Sequence, residues 1–291
     1  MPYTTLISAQ DLHGLLAQQA PVLVFDCSFD LAQPAAGAQQ YQEAHIPGAL
    51  HADLNLHLST GHGPQYAGDT PASGGRHPLP SRERFAQWLG SVGMANHLQV
   101  VVYDRNSANY CGRLWWMLQW AGHNAVAVLD GGLQVWQAQG FAVASGAEAP
   151  RPPAAFALQA PLQTLVTVHE VQAQLGQAQQ TVLDARATPR YKGEVEPLDP
   201  VAGHIPGALN RPFAHNLDAN GCFKTPEALR AEFAALLGPR APTTVVHQCG
   251  SGVSAIPNLL AMRIAGLGPT RLFAGSWSEW CSDASRPVER G

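Results

Sequence analysis

Short runs of consecutive apolar residues recur along this chain and are separated by segments that carry helix start signals. Most of these runs are continuously apolar rather than alternating, which is typical of strands buried on both faces of a largely parallel sheet. The predicted strands lie near 22–25, 99–103, 125–129, 181–183, 243–247 and 270–273.

Capping residues mark where several helices begin. Ser8 is followed by Asp11 at the third helical position, and Thr167 with Glu170 repeats this pattern. The alternation of helices with buried strands predicts an α/β fold. The predicted helices run over about 8–18, 81–89, 113–120, 171–175 and 256–264.

An internal repeat divides the chain into two halves. The sequence HIPGAL occurs at 45–50 and again at 204–209, each time after a strand that ends in aspartate. The two copies are 159 residues apart, whereas the matching positions Asp104 and Cys249 are only 145 apart. The first half therefore holds additional sequence, for which the glycine- and histidine-rich segment 59–79 is the natural candidate.

The repeat predicts two domains joined by a proline-rich linker. We expect a first domain over 1–145, a linker over 146–162 and a second domain over 163–291. Four prolines between 150 and 161 exclude regular structure there and favour an extended strap on the surface.

Composition narrows the function classes. A net charge of −4 with 13% charged residues gives no electrostatic footprint for nucleic acid, so no such partner is expected. No apolar run is long enough to span a bilayer and the N-terminus shows no secretory signal, so no membrane association is expected. An odd number of cysteines without a CxxC pair indicates reduced thiols in the cytoplasm, rather than disulfides or a metal site.

Cys249 carries the strongest chemical signal. It leaves an apolar run and enters a loop of small residues whose glycines let several N–H groups converge on one point. Such a nest, followed by a helix N-terminus, favours negative charge and hence a thiolate nucleophile. The predicted cradle comprises Gly250, Ser251, Gly252, Val253 and Ser254.

The two HIPGA motifs, the CGSGV loop and the GSWSEW sequence at 275–280 together resemble the tandem rhodanese family of sulfurtransferases over essentially the whole chain. The loop is most similar to that of the 3-mercaptopyruvate sulfurtransferase branch. The resemblance implies two rhodanese-like domains, each a mostly parallel sheet with helices on both faces, of which the first lacks the catalytic cysteine.

The resemblance also implies substrate-binding residues. Arg190 matches a family arginine that binds the donor, and its guanidinium could pair with a carboxylate. Arg186 is a further candidate, although tying down the turn after Asp184 is the role we favour. A second family arginine is absent, because Leu198 stands in its place; Lys192 is the nearest residue that could compensate.

The N-terminal half is expected to contribute to the same site. Relatives of the mercaptopyruvate branch have an aspartate and a histidine that form a relay with the serine of the cysteine loop. Here His77 and Ser251 occupy two of these positions, and Asn55 stands at the aspartate position. Tyr110 matches a tyrosine that lines the cleft in relatives, but it could equally pack in the core.

The mechanism implied is a two-step transfer of sulfane sulfur. The Cys249 thiolate takes sulfur from a small-molecule donor and forms a persulfide, while Ser251 or a water positioned by His77 protonates the leaving enolate. Cyanide, a small thiol or a dithiol protein of the thioredoxin kind then accepts the sulfur. This chemistry needs no metal and no organic cofactor.

Three other functions compete with this one. Thiosulfate could be the preferred donor, because the second arginine is missing. A non-catalytic rhodanese module that carries sulfur or binds a partner is a second alternative, which the intact loop argues against. A cysteine phosphatase would need arginine six positions after the nucleophile, where this chain has Ala255, and is rejected.

Overall fold

The computed structural model describes residues 1–61 and 66–291. Residues 62–65, which belong to the predicted insertion at 59–79, lie outside the described residues. No helix in the described part of the chain is long and apolar enough to cross a membrane.

The chain forms two compact units that differ from the predicted domains at the linker and at two short segments, residues 73–79 and 219–222. The predicted linker belongs to the first unit, where the Ala154 N–H donates to the Gly90 carbonyl at 2.9 Å. Residues 73–79, from the N-terminal half, belong to the second unit. The first unit comprises Met1–Ala72, Pro80–Leu162 and Ala219–Cys222, and the second comprises Ser73–Leu79, Gln163–Asp218 and Phe223–Gly291.

The first unit contains a five-stranded parallel sheet in the order β1-β5-β4-β2-β3. Its central strands are apolar and almost wholly buried, so the sheet is covered on both faces. The strands are β1 (Leu6–Ile7), β2 (Val22–Asp26), β3 (Leu50–His51), β4 (Gln99–Tyr103) and β5 (Val126–Leu129). The helices are α1 (Ala9–Ala17), α2 (Ala36–Glu43), α3 (Arg82–Ser91), α4 (Cys111–Trp120) and α5 (Gly132–Ala138).

The second unit repeats this topology, with the strand order β6-β10-β9-β7-β8 and parallel pairing throughout. The predicted fold class is therefore confirmed. Its strands are β6 (Thr164–Leu165), β7 (Thr181–Asp184), β8 (Leu209–Asn210), β9 (Val245–Gln248) and β10 (Arg271–Leu272). The helices are α6 (Val168–Ala173), α7 (Thr188–Lys192), α8 (Pro226–Leu237), α9 (Ile256–Ile264) and α10 (Ser276–Trp280).

The histidines of the two HIPGAL motifs hold the turns in which they lie. His45 is within 2.8 Å of the Tyr41 carbonyl through Nδ1 and stacks on the Tyr41 ring. His204 makes the same pair of contacts with Tyr191. Because both units contain this arrangement, it accounts for the repeated motif without a catalytic role.

Candidate active site

Cys249 directly follows β9, at the carboxyl end of the central part of the sheet. The cysteine is 2% exposed and Ser251 is 6% exposed, so both residues are buried. Gly252 has φ +74°, and a Cβ there would lie 2.2 Å from the Ala274 carbonyl oxygen. A larger residue would therefore be strained and would also separate the loop from the end of β10.

The start of α10 fixes the direction of the loop peptides. The Trp277 N–H donates to the Cys249 carbonyl at 3.0 Å, and the Ser278 N–H donates to the Gly250 carbonyl at 2.9 Å. Ser276 Oγ accepts from the Cys249 N–H at 3.1 Å. Because N–H and C=O point in opposite directions across a planar trans peptide, the Gly250 and Ser251 N–H groups point away from α10.

The matching loop in the first unit shows what such N–H groups bind. Asp104 stands at the position of Cys249, and its carboxylate accepts four backbone hydrogen bonds at 2.8–3.1 Å. Burial raises the pKa of this carboxyl above its ordinary value, while the four amides act in the opposite direction. The loop is therefore a nest that one acidic side chain fills. The donors are the N–H groups of Asn106, Ala108, Tyr110 and Cys111.

In the second unit the corresponding nest has no carboxylate. Within the described residues, no hydrogen bond joins the N–H groups of Gly250, Ser251 or Val253 to an acceptor. The loop between β9 and α9 has the same length as that between β4 and α4, and Ser107, which matches Gly252, also has positive φ. The matching loop around Asp104 supports the predicted cradle for an anionic group carried by Cys249, which stays a prediction.

His77 and Ser251 are in direct contact. His77 Nδ1 lies 2.7 Å from Ser251 Oγ, and both side chains are almost fully buried. The structure therefore brings together two of the three predicted catalytic residues beside the third, Cys249, which is two positions from Ser251.

Residues 73–79 lie against the turn that starts α10, and this contact positions His77. Gly75 has φ +84°, and a Cβ on it would lie 2.4 Å from the Gly275 carbonyl oxygen, so only glycine fits at this approach. The adjacent Arg76 N–H donates to Ser278 Oγ at 3.0 Å. The same α10 start therefore holds the cysteine loop and the segment that carries His77.

The guanidinium group of Arg186 is surrounded by partners from the second unit. Its guanidinium donates to Asp184 at 2.7 Å, to the Gly203 carbonyl at 2.7 Å and to Glu196 at 3.4 Å, and lies over the Trp277 ring. Burial lowers the pKa of Arg186, but nearby negative charges outweigh it and hold that pKa above its ordinary value. These contacts agree with the structural role that we favoured and leave little room for a direct role in donor binding.

Arg190 is held at one edge of its guanidinium. Nη2 donates to Glu196 at 2.6 Å and to Asp199 at 3.2 Å, and Nε donates to Glu196 at 3.2 Å. Its Nη1 atom lies 3.6 Å from the position that a Cβ on Gly250 would occupy. Arg190 therefore presents one terminal nitrogen next to the nucleophile loop.

Arg76 is the site residue that the sequence reasoning missed. Its Nη1 donates to Asp199 at 2.6 Å, and its Nη2 lies 3.2 Å from the same Cβ position on Gly250. Lys192 points elsewhere: its nearest ionic partner is Glu194 at 4.0 Å, and its side chain is 46% exposed. The only available signal was the position of Arg76 immediately before His77.

Two predicted residues, Asn55 and Tyr110, belong to the first unit. Asn55 Oδ1 is buried and has no hydrogen-bond partner among the described residues. Tyr110 is 9% exposed, and its ring packs edge-on against Phe29 at 5.3 Å. Their roles in donor binding stay predictions; Tyr110 in addition has the core contact that its alternative interpretation requires.

Three of the other four cysteines are buried in surroundings that disfavour a thiolate. All five cysteines are free thiols in this structure. Burial raises the pKa values of Cys27, Cys111 and Cys281, which disfavours their thiolates.

Comparison with known proteins agrees with the two units. The Rhodanese-like domain family matches residues 8–139 and 167–283. The chain is 46% identical over its full length to the whole of a Pseudomonas aeruginosa protein named probable 3-mercaptopyruvate sulfurtransferase. It is 35% identical to the thiosulfate sulfurtransferase of Cricetulus griseus, over 90% of this chain and 85% of that one.

A solved structure also has the same fold over most of the chain. The 3-mercaptopyruvate sulfurtransferase from Leishmania major superposes with a TM-score of 0.80 at 30% identity, covering 96% of this chain and 74% of that one. The matched domains, the full-length relatives and the shared fold together show that this chain belongs to the rhodanese family and contains two rhodanese-like domains.

Proposed function

We propose that this protein is a sulfurtransferase that moves sulfane sulfur from 3-mercaptopyruvate to a thiol or cyanide acceptor through a persulfide on Cys249. The thiolate attacks the sulfur of the donor, the C–S bond breaks, and its electron pair leaves on the carbon of the pyruvate enolate. A proton then converts the enolate to pyruvate. In the second step an acceptor attacks the outer sulfur and releases the Cys249 thiolate.

The observation that carries this proposal is the nest bound to Asp104 in the first unit. The carboxylate oxygens of aspartate and the outer sulfur of a cysteine persulfide are both two bonds beyond Cβ. A persulfide on Cys249 can therefore occupy, in the second unit, the place that the Asp104 carboxylate occupies in the first. The N–H groups of the loop would hold its negative charge as an oxyanion hole holds oxygen.

The His77–Ser251 contact favours mercaptopyruvate as the donor. An enolate leaving group must be protonated, and a serine hydroxyl 2.7 Å from an imidazole nitrogen is a suitable proton source next to the nucleophile. Sulfite, which leaves when thiosulfate is the donor, needs no such proton. Arg190 is the candidate cation for the donor carboxylate.

Thiosulfate is the second candidate donor. The terminal nitrogens of Arg76 and Arg190 lie together next to Gly250, and a dianion benefits from two nearby cations. A relative named thiosulfate sulfurtransferase also matches most of the chain.

We further propose a thioredoxin-like dithiol protein as a macromolecular acceptor and the cytoplasm as the location.

Steady-state kinetics with the two donors tests the proposal. With cyanide as acceptor, we expect kcat/KM for 3-mercaptopyruvate to exceed that for thiosulfate by at least about tenfold, with ping-pong kinetics. Cys249→Ser should abolish transfer from both donors. A reversed donor preference would favour the thiosulfate alternative, and activity retained in Cys249→Ser would reject the persulfide mechanism itself.

A further inference from the structure

We infer that Arg76 supplies the second guanidinium that binds the carboxylate of the donor, in place of the arginine that this chain lacks at Leu198. The inference rests on the proposed function and adds a specificity-determining residue to it. Apart from its position next to His77, nothing in the sequence indicated Arg76, because it lies about 120 residues before Leu198 and in the other half of the repeat.

The geometry places two cationic nitrogens at one point beside the nucleophile. Arg76 Nη2 and Arg190 Nη1 lie 3.2 and 3.6 Å from the position of a Cβ on Gly250. Gly250 is the neighbour of Cys249, so a carboxylate that bridges the two nitrogens would hold its donor within reach of the thiolate. Two N–H donors from different guanidinium groups match the two oxygens of one carboxylate.

Asp199 keeps the two arginines together. Its Oδ1 accepts from Arg76 at 2.6 Å and its Oδ2 accepts from Arg190 at 3.2 Å, and its side chain is 3% exposed. Two guanidinium groups this close would otherwise repel each other. The Arg76 and Arg190 side chains are 26% and 18% exposed, so the pair is accessible although its bridging carboxylate is buried.

The absence of a side chain at position 250 preserves this space. A Cβ on Gly250 would approach the terminal nitrogen of Arg76 more closely than an ordinary van der Waals contact. Gly250 itself does not have a positive φ that would demand glycine. The space next to the guanidinium groups is thus the feature that a substitution at Gly250 would change.

Donor binding to a non-reacting protein provides the first test. Calorimetry would measure the Kd of 3-mercaptopyruvate and of pyruvate for Cys249→Ser and for Cys249→Ser combined with Arg76→Ala. We expect Arg76→Ala to weaken binding of both carboxylates about 10- to 100-fold, since a charge-assisted hydrogen bond is lost. Arg240→Ala is the matched control and should bind as the parent does, because Arg240 Nη1 donates to the Leu237 carbonyl at the end of α8.

Kinetics on the reactive protein provides the second test. Arg76→Ala should raise the donor KM about 10- to 100-fold and change the KM of the cyanide acceptor by less than about twofold, because the acceptor attacks after pyruvate has left. Arg76→Lys should bind the donor better than Arg76→Ala but worse than the parent, since lysine keeps the positive charge but lacks the paired N–H donors of a guanidinium group. Gly250→Ala should also raise the donor KM, with an unchanged melting temperature. This variant tests the inference if Arg76→Ala does not fold.

The outcomes separate this inference from the proposed function. If Cys249→Ser abolishes transfer and binds donor, while Arg76→Ala and Gly250→Ala keep parental donor Kd and KM, the role of Arg76 is wrong and the sulfurtransferase proposal stands. If Cys249→Ser remains active or binds neither carboxylate, the proposed function fails first. An equal rise in donor and acceptor KM would also overturn the role of Arg76 in carboxylate binding.

Discussion

At the scale of residues, the site depends on a few polar contacts within one unit. The contact of His77 with Ser251 joins residues 174 positions apart in sequence. The sequence could name both residues, and Cys249 and Arg190 as well, because each lies in or beside a recognisable motif. It could not name Arg76, because its proximity to Gly250 depends on how residues 73–79 pack against the start of α10.

The role of Ser251 predicts a donor-dependent defect. Ser251→Ala removes the hydroxyl that would protonate the enolate, so persulfide formation from 3-mercaptopyruvate should slow by about 100-fold. The rate with thiosulfate should change by less than about fivefold, because sulfite leaves without that proton. Single-turnover measurements with each donor check this, with Ser282→Ala at the surface as the control. Equal slowing with both donors would assign Ser251 to the cradle rather than to proton transfer.

A buried histidine in β9 predicts how stability depends on pH. Burial lowers the pKa of His247 from 6.5 to about 3, so the folded chain keeps this ring neutral while the unfolded chain protonates it below pH 6.5. The free energy of unfolding should therefore be unaffected by this group above pH 6.5. It should fall by up to about 1.4 kcal/mol per pH unit between pH 6.5 and 3. Urea titrations of the parent and of His247→Leu check this, and equal slopes in that range would contradict it.

At the scale of elements, the short helix α10 organises the site. Its first residues bind the carbonyls of the cysteine loop and also contact residues 73–79. The long apolar strands and the capped helices α1, α3 and α6 could be predicted from the sequence, since their signals are local. The two-residue strands at the sheet edges could not, because such short elements are defined by pairing with a neighbour rather than by their own residues. The twelve-residue α8 was missed although Thr225 caps it.

Gly75 tests the packing of residues 73–79 on α10. Gly75→Ala should lower kcat/KM for 3-mercaptopyruvate by at least about 100-fold, because a Cβ would collide with the Gly275 carbonyl and displace both Arg76 and His77. Gly140→Ala is the matched control: Gly140 also has positive φ, but nothing lies within 4 Å of its Cβ position. Both variants should lose about 1 kcal/mol of stability from backbone strain. Parental kinetics in Gly75→Ala would contradict the positioning role of this segment.

At the scale of the whole molecule, the duplicated loops explain why we expect the second unit to react and the first not to. Both units place a loop with the same length between a central strand and a helix, and the first fills its nest with the Asp104 carboxylate. With Cys249 in place of that aspartate, we expect the second nest to hold the sulfur that the donor delivers. The repeat and the asymmetry could both be predicted from the sequence. The packing of residues 73–79 within the second unit could not be predicted, because it depends on contacts between residues that are far apart in the sequence.

Mass spectrometry of the protein after one equivalent of 3-mercaptopyruvate tests the central claim most directly. The Cys249 peptide should gain the mass of one sulfur atom, and cyanide should remove it and yield thiocyanate in equal amount. Cys27, Cys111, Cys222 and Cys281 should remain unmodified and act as internal controls. An unmodified Cys249 in protein that has released pyruvate, or a labile sulfur on another cysteine, would contradict the account.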